Sequence, residues 1–437
     1  MINLHIPKFV IFIYKRFKEA GYQAYLVGGA VRDAFLQRPI TDWDVVTSAS
    51  SEEIKAIFSD TKLFALKHDT VTLVDSGRHF EVTSFRGRTK LLHEDLTFRD
   101  FTINAMAYDL ENSRVLDPCG GKADIKRRLV RAVGNPQKRF QEDPIRLLRA
   151  VRIATELGFK IETETLKTLT SMAPLLRSTA PERIREEMMK LLTSSRPSTG
   201  FSLMVRTGLL KYFLPELLEG YRKKQNAYHR HNIFKHIMET IDRVQPDPVL
   251  RMTALLHDIG KPRVREKIQG EWRFLGHEEA SAALSQEIMD RLRFSKDTIL
   301  KVNNLVRHHM IDYNSEWSDS AVRRLIRRVG PEDIMDLLVF RRADLLAHPA
   351  ENQELDLLDK LETRIKHEIK GHVATKTQDL AIDGHKVMEI LGISPGKEVG
   401  AILEDLIEQV TDNPELNNKT QLRAILEKIK GSYALDH

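Results

Sequence analysis

The sequence predicts an α+β protein, with a mixed β-sheet and helices over residues 1–117 and a helical chain from there onward. Three observations carry this. Strand-type alternation, as in residues 70–74 and 80–85, mixes with helical patterns only up to about Asp117. The turn-rich stretch 117–125 then opens a helix-rich chain. Near the start, the apolar run Tyr25-Leu26-Val27 ends in Gly28-Gly29, a short helix carries Arg32 in its first turn, and Asp42-Trp43-Asp44 sits on the next strand. That order is strand, turn, helix, strand.

Composition bounds the rest. A chain of 437 residues is long enough for two to four domains. Hydrophobic content of 41% and charged content of 30% are those of an ordinary globular protein. Lys and Arg (68) exceed Asp and Glu (62), and the isoelectric point near 9.1 suits a polyanionic partner while being compatible with none. The single cysteine, Cys119, excludes an intramolecular disulfide framework and fits a reducing compartment. The first residues lack a basic leader, and Lys8 and Lys15 interrupt their apolar run, so neither a signal peptide nor a membrane span is expected. The expected location is cytoplasmic, with no membrane partner.

Residues 10–20 read as an amphipathic helix leading into the first strand. At the turn, Gly28 and Gly29 let backbone N–H groups approach a phosphate closely, and the helix N-terminus adds partial positive charge. Arg32, with Asp33 beside it, can fork onto phosphate oxygens. Residues two apart on a strand share a face, so Asp42 and Asp44 present paired carboxylates while Trp43 points away. Paired carboxylates facing a triphosphate suit divalent-cation nucleotidyl transfer. Asp75-Ser76-Gly77 reads as a turn between two strands, and Glu81 on the second faces the same side as the aspartates. Glu81 is a third carboxylate or a cross-strand partner for an arginine.

The wording G-G-A-V-R-D followed by D-W-D resembles the tRNA nucleotidyltransferase / poly(A) polymerase family, of the class II CCA-adding type, whose head is related to DNA polymerase β. The resemblance implies a polymerase-β-like nucleotidyltransferase head followed by all-α neck, HD and tail domains. It places Mg²⁺ on Asp42 and Asp44, and the triphosphate on Gly28, Gly29 and Arg32. Residues 94–105, containing Phe98-Arg99-Asp100-Phe101 and Asn104, resemble the family's second motif. There the resemblance implies that Arg99 meets phosphate and Asp100 accepts from the ribose 2′-hydroxyl. A capping role for Asp100 is compatible with this. The family usually has an arginine where this chain has Phe98.

Glu142-Asp143-Pro144-Ile145-Arg146 reads as a helix start, with Pro144 first and Asp143 as cap. It also resembles the family's base-reading motif. A carboxylate accepting from an exocyclic amino group and an arginine donating to a ring acceptor read cytosine and adenine alike, and mismatch guanine and uracil. The resemblance makes Asp143 and Arg146 the template pair, Glu142 their orienter, and Arg149 and Arg152 further phosphate or base contacts. The charges of residues 181–188 read as structural ion pairs.

Farther on come His229, His231 and His236, then His257-Asp258, His277, His308-His309 and Asp344. This series resembles the HD metal-dependent phosphohydrolases. It implies His236, His257, Asp258 and Asp344 as ligands of a divalent metal (Mn²⁺, Mg²⁺, Co²⁺ or Ni²⁺), with His277, His308 and His309 on a second metal or the substrate. An HD fold retained without turnover is the alternative. Residues 379–400 resemble the family's tRNA-facing tail, and Gly384-His385 within them reads as a turn.

The expected domains are therefore a head at 1–117, a neck at 118–225, an HD domain at 226–350 and a tail at 351–437. The expected activity is addition of CMP from CTP to the 3′ end of a tRNA, with ATP as the alternative nucleotide. Between Arg86 and Glu94 lie only seven residues, 87–93, where members adding C-C-A or A normally carry a considerably longer loop. This resembles CC-adding enzymes, which leave the adenosine to a separate A-adding enzyme. Full C-C-A addition, or A-addition, is the alternative, and an RNA-end phosphohydrolase acting through the histidines is a reading of another class.

Overall fold

The computed structural model describes residues 5–65, 70–225, 232–348, 352–371 and 374–433; His229 and His231 lie outside the described residues. The chain divides into two compact units, Met1–Pro215 and Glu216–His437. Residues 118–215 thus pack with the head, and the HD and tail segments with each other.

In the first unit, α1 (Lys8–Glu19) lays Val10, Ile13 and Phe17 into the core. The sheet is built from β1 (Ala24–Val27), β2 (Asp44–Thr47), β3 (Leu63–Ala65), β4 (Thr70–Asp75), β5 (Arg78–Ser84), β6 (Ala107–Asp109) and β7 (Arg114–Leu116). Its strand order is β3-β4-β5-β2-β1-β6-β7, antiparallel throughout except for the parallel pair β2–β5. Alternation sends Leu26, Val45, Leu73 and Val82 to one face with α1, and Val27, Val46 and Phe85 to the other with Leu92 and Leu96. Ser76 (φ 48°) and Gly77 (φ 77°) make the expected β4–β5 turn, the two positive φ values that a tight hairpin of type I′ requires. The helices are α2 (Gly29–Phe35), α3 (Ser51–Ile57) and α4 (Leu92–Thr97).

The rest of this unit comprises α5 (Gly121–Arg127), β8 (Leu129–Val130), α6 (Pro136–Glu142), α7 (Arg146–Leu157), β9 (Lys160–Ile161), α8 (Thr163–Met172), α9 (Pro181–Leu192) and α10 (Pro197–Thr207). The parallel β8–β9 pair departs from an all-helical neck; two residues per strand are too few to leave an alternation. Asp117, expected in a permissive junction, instead starts α5: its carboxylate accepts from the N–H groups of Gly121 (2.7 Å) and Lys122 (2.9 Å). A Cβ on Gly121 would lie 2.3 Å from the Thr102 carbonyl oxygen, so this contact admits only glycine.

The second unit runs α11 (Glu216–Glu219), α12 (Ile233–Arg243), α13 (Pro248–Leu256), β10 (Glu266–Ile268), β11 (Glu271–Arg273), α14 (His277–Arg291), α15 (Lys296–Arg307), α16 (Asp319–Val329), α17 (Ile334–Leu346) and α18 (Asn352–Lys370). It ends with α19 (Gly384–Leu391), α20 (Lys397–Asp412) and α21 (Lys419–Tyr433), packed around Val387, Leu406, Ile407, Leu422 and Leu426. Gly384-His385, read as a turn, is the first turn of α19, because Asp383 caps it by accepting from the Lys386 N–H (2.9 Å). The tail docks through α16, where Arg323 donates to the carbonyls of Thr411 (2.6 Å) and Asp412 (2.8 Å) at the end of α20. Among the described residues no helix is long and apolar enough to cross a membrane.

Candidate active site

The turn between β1 and α2 is shaped by contact. Gly28 has φ +74°, and a Cβ there would sit 3.0 Å from Asp44 Oδ2 and 3.2 Å from Arg99 Nη1. Asp44 opens β2, beside Glu81 of β5 in the parallel register. Asp42 lies two residues ahead of the strand rather than on it, because Trp43 is anchored in the core and only Asp44 onward pairs. All three carboxylates line one cleft of about 960 Å³, with Gly29, Arg32 and Arg152. Burial raises the proton affinity of Asp44, and the nearby Arg99 guanidinium does not reverse it. Glu81 is raised by burial and by Asp44 and Asp42. Acids that protein cations leave under-neutralised, offering hard oxygen donors together, fit a divalent cation.

Arg32 is held before any ligand arrives. It donates bidentately to Asp33 (3.0 and 2.8 Å) and to Asn104 Oδ1 (2.8 Å). Asn104 in turn donates to Asp100 Oδ1 (3.1 Å), which also accepts from the Phe101 N–H (2.7 Å), while Asp100 Oδ2 accepts from Arg149 Nε (2.9 Å). Burial alone would raise Asp100, but Arg149 and these N–H donors hold its carboxyl down at about 2. Three accepted bonds leave a carboxylate one lone-pair site of its four. Asp100 does not cap the 3-10 turn Thr102–Asn104, whose N-cap is Phe101 with no side-chain cap bond; its carboxylate is taken up by the Phe101 N–H, Asn104 and Arg149 instead.

A second cavity, of about 220 Å³, is lined by Gly28, Gly29, Asp44 and Asp100 together with Asp143, Arg146 and Arg149, and shares Gly29, Asp44 and Arg149 with the first. Asp143 does not cap the helix that follows it, whose N-cap is Ile145, but ends α6 as its C-cap residue. It falls in the break between α6 and α7, and its carboxylate is taken bidentately by Arg183 of α9 (2.8 and 2.9 Å). Arg146 donates to the Arg139 carbonyl (3.2 Å), to Glu142 (3.2 Å) and to the Phe98 carbonyl (3.0 Å), which leaves two of its five N–H groups for a ligand. Glu142 also holds Arg139 (2.7 Å), whose guanidinium lies over the Phe98 ring, so Phe98 serves as a stacking surface. Arg152 pairs with Glu187 (2.6 Å) and Glu156 (2.8 Å), and Glu187 also reaches Arg149 (3.4 Å).

In the second unit, His236, His257 and Asp344 form one buried ligand group, and Asp258, His277 and His309 another. His257, His277 and His309 each place Nδ1 against a backbone carbonyl, of Ala254 (2.9 Å), Phe274 (2.8 Å) and Val306 (2.7 Å). That contact puts the proton on Nδ1 and leaves the Nε2 lone pair facing the centre, as a metal-binding imidazole requires. The Nε2 atoms of His277 and His309 are 3.3 Å apart, those of His236 and His257 3.2 Å. Asp258 Oδ1 and Asp344 Oδ1 are buried without a hydrogen-bond partner, which fits a cation between the groups. His308 lies outside both groups: it follows the last residue of α15, half-buried, with Arg328, Arg307 and Glu279 as charged neighbours.

Against this geometry stand the comparisons. Residues 24–131 match the model of the Poly A polymerase head domain, 158–220 that of the probable RNA and SrmB-binding site of polymerase A, and 232–364 that of the HD domain. A CCA-adding enzyme of Limosilactobacillus reuteri is 32% identical over 434 residues, 95% of both chains. The chain belongs to the family of CCA-adding enzymes. Another member, from Anoxybacillus flavithermus, is 30% identical over 94% of both chains. The crystal structure of the Bacillus stearothermophilus CCA-adding enzyme in complex with CTP superposes with a TM-score of 0.73 at 29% identity over 98% of each chain.

Within this CCA-adding enzyme scaffold, sequence reasoning missed several residues. Arg183 and Glu187 read as ion pairs within their own helix, but their partners are Asp143 and the pair Arg149 and Arg152, 35 to 40 residues away. Asp95, fully buried, binds both Arg86 (2.9 Å) and Arg99 (3.4 Å) and so orients two cations of the smaller cavity. At the histidine centre, His348 stacks on His236 with ring centroids 4.3 Å apart, and Lys261 bonds Asp258 at 2.6 Å. Only Lys261 left a sequence signal, three residues after the His-Asp pair.

Proposed function

We propose that the first unit joins CMP from CTP to the 3′ end of a tRNA and stops after two cytidines. The supporting observation is the connection 87–93. Glu94 accepts from the N–H groups of Arg88 (3.0 Å) and Thr89 (2.7 Å) and from the Thr89 hydroxyl, so the short connection is a pinned turn. Gly87 (φ +106°) packs against the Glu94 carboxyl, where a Cβ would stand 2.2 Å from its carbon. A turn this short and tied down has no length with which to reshape the Asp143–Arg146 pair between cytosine and adenine.

The tRNA 3′-hydroxyl gives up its proton to solvent as its oxygen bonds to the α-phosphorus of CTP, the α–β anhydride bond breaks, and pyrophosphate leaves. Asp42 and Asp44, with Glu81, would hold Mg²⁺, which when bound would supply positive charge against the phosphates and lower the hydroxyl's proton affinity. Gly28 and Gly29 offer backbone N–H groups, and Arg32 and Arg99 offer guanidinium donors to the triphosphate. Asp100 accepts the ribose 2′-hydroxyl on its remaining lone pair. Asp143 accepts from the cytosine amino group and Arg146 donates to the ring acceptors, with Arg149 and Arg152 flanking. Such an enzyme works where tRNA matures, in the cytoplasm.

The test is a tRNA lacking C-C-A, incubated with Mg²⁺ and CTP, ATP or both, with products sized to one nucleotide. Two cytidines with ATP present support the reading, and a separate A-adding enzyme would then be required; the comparisons lend that enzyme no support. A full C-C-A product, as the relatives' names imply, overturns it, as does extension of a C-C end by ATP alone.

A second reading concerns the histidine centre. Six buried ligands in two groups, with two orphaned carboxylate oxygens, support a dinuclear phosphohydrolase acting on RNA-terminal 2′,3′-cyclic or 2′-phosphates. Release of phosphate from such ends with Mn²⁺, Co²⁺, Ni²⁺ or Mg²⁺, lost in His257→Ala, tests it.

A further inference from the structure

Between the two halves of the histidine centre the chain makes a hairpin that neither reading uses. β10 and β11 are joined by Gln269 (φ 51°) and Gly270 (φ 88°), a two-residue turn of type I′ that fixes the register Lys267↔Trp272 and Glu266↔Arg273. Cross-strand partners share a face, and so do residues two apart. One face therefore carries Arg265, Lys267 and Trp272. The Arg265 guanidinium lies 3.4 Å from the centre of the Trp272 ring, and the Lys267 ammonium 6.0 Å from it. Both carboxylates of the strands, Glu266 and Glu271, fall on the opposite face by the same register.

The hairpin is coupled to the centre at both ends. The Phe274 ring, one residue after β11, lies under the Lys261 ammonium (5.7 Å), which bonds Asp258. The Phe274 carbonyl accepts from His277 Nδ1 (2.8 Å) and thereby orients that ligand. The backbone of the hairpin is thus part of what aims the metal-binding imidazole. Ile268 and Leu275, 37% and 72% exposed, add apolar surface to the same segment.

We infer that the Arg265–Lys267–Trp272 face is a docking platform for single-stranded RNA, whose terminal nucleotides stack there with the phosphate end toward the histidine centre. The chemistry is complementary. A guanidinium plane already layered on an indole offers a flat cationic surface to a base, and Lys267 offers a charge to the backbone phosphate. A two-residue turn keeps the surface preformed. Protein partners recognised through carboxylates would find the same charges but gain nothing from the stacked plane, so RNA is the occupant favoured. The inference names the substrate class of the second reading, and its binding step stands apart from turnover.

The experiment uses the full chain in EDTA, where hydrolysis is silent, and a pentacytidylate bearing a 2′-phosphate and a photoreactive thio-pyrimidine at its terminal position. Cross-links mapped by mass spectrometry are expected on residues 262–276. Trp272→Ala and the double variant Arg265→Ala/Lys267→Ala should each lower that cross-link yield roughly tenfold, the stacking contribution of about one base. The double variant should also flatten the salt dependence of cross-linking. Thermal unfolding within 2 °C of the parent, roughly the shift of a sub-kcal/mol change, shows that the variants are folded; Trp272→Phe, which keeps an aromatic plane, should retain most of the yield. Cross-links confined to other segments, or yields unchanged in Trp272→Ala, overturn the inference. Absence of phosphate release with Mn²⁺ from the same oligonucleotide carrying a terminal 2′-phosphate, despite normal cross-linking, would instead overturn the hydrolase reading alone.

Discussion

Arg183→Ala separates a positioning role from a structural one. Arg183 and Asp143 form a two-pronged pair whose side chains are 51% and 29% exposed. Pairs of that exposure contribute about 0.2–1 kcal/mol to stability, so the variant should unfold within about 1 kcal/mol of the parent. Base reading is another matter. Each Asp143 oxygen spends one lone pair on Arg183 and keeps another for an incoming amino group, so the fork fixes where the free lone pairs point. A good two-point base contact discriminates by about 1–3 kcal/mol, and a carboxylate free to rotate forfeits a large part of that. We expect kcat/KM for CTP to fall roughly tenfold and the CTP-to-UTP ratio to shrink by a similar factor, about 1.4 kcal/mol in each case. Arg183→Lys should recover only part of it, since an ammonium cannot fork. Single-turnover CMP addition with each nucleotide, beside denaturant unfolding, reads both quantities. An unchanged ratio, or a stability loss above about 2 kcal/mol, the scale of a buried rather than a surface pair, refutes the reasoning.

Three further outcomes follow from the same geometry. Asp42→Ala should abolish nucleotide addition and spare phosphate release, while His257→Ala does the reverse; addition surviving in Asp42→Ala removes the head assignment. Asp100→Asn should destabilise the protein by about 2 kcal/mol at pH 7, because the folded carboxyl sits at about 2 against an ordinary 3.8. A lowered folded pKa stabilises above the unfolded value and loses that stability only as pH falls from about 4 toward 2, so the gap measured by denaturant should be flat from pH 8 to 5; narrowing within that range contradicts the low pKa. Gly87→Ala forces both a positive φ and a clash with the Glu94 carboxyl, and should cost about 1–3 kcal/mol, read as a lowered melting temperature of the first unit.

The head was legible because its chemistry is local. Gly28, Gly29, Arg32, Asp42 and Asp44 fall within 17 residues, and strand parity alone joins Asp44 to Glu81. The alternation of residues 70–74 and 80–85 forecast β4 and β5 and the turn between them, since tight turns and half-buried strands write their signal into neighbouring residues. What escaped was set by long-range partners. Asp143 looked like a cap before Pro144, yet α7 begins only at Arg146, because the carboxylate is claimed by an arginine 40 residues on. His308 and His309 are adjacent in sequence, but α15 ends at Arg307 just before them, and only His309 turns its Nε2 inward. The Asp117 junction looked permissive from its glycines, whereas Gly121 is there for a close backbone approach that no local pattern records.

The electrostatics of the two cavities divide the labour between their acids. Asp100 and Asp143 are each met by an arginine, and Asp100 is held ionised far below neutral pH; as fixed acceptors, they suit hydroxyl and amino groups whose hydrogen-bonding pattern must be read without ambiguity. Asp44 and Glu81 are shifted the other way, by burial first, with Asp42 raising both and Asp44 also raising Glu81, and the guanidinium that most opposes the shift at Asp44, that of Arg99, is itself shared with Asp95. Burying an under-neutralised carboxylate costs stability, and the fold bears that cost at the strand ends where reacting phosphates would lie. A cation that binds there is therefore favoured both by the ligands it gains and by the repulsion it removes. The arginine-bound acids gain nothing from it, so Mg²⁺ titrated into the protein with CTP absent should shift the response of Asp44→Asn far more than that of Asp100→Asn.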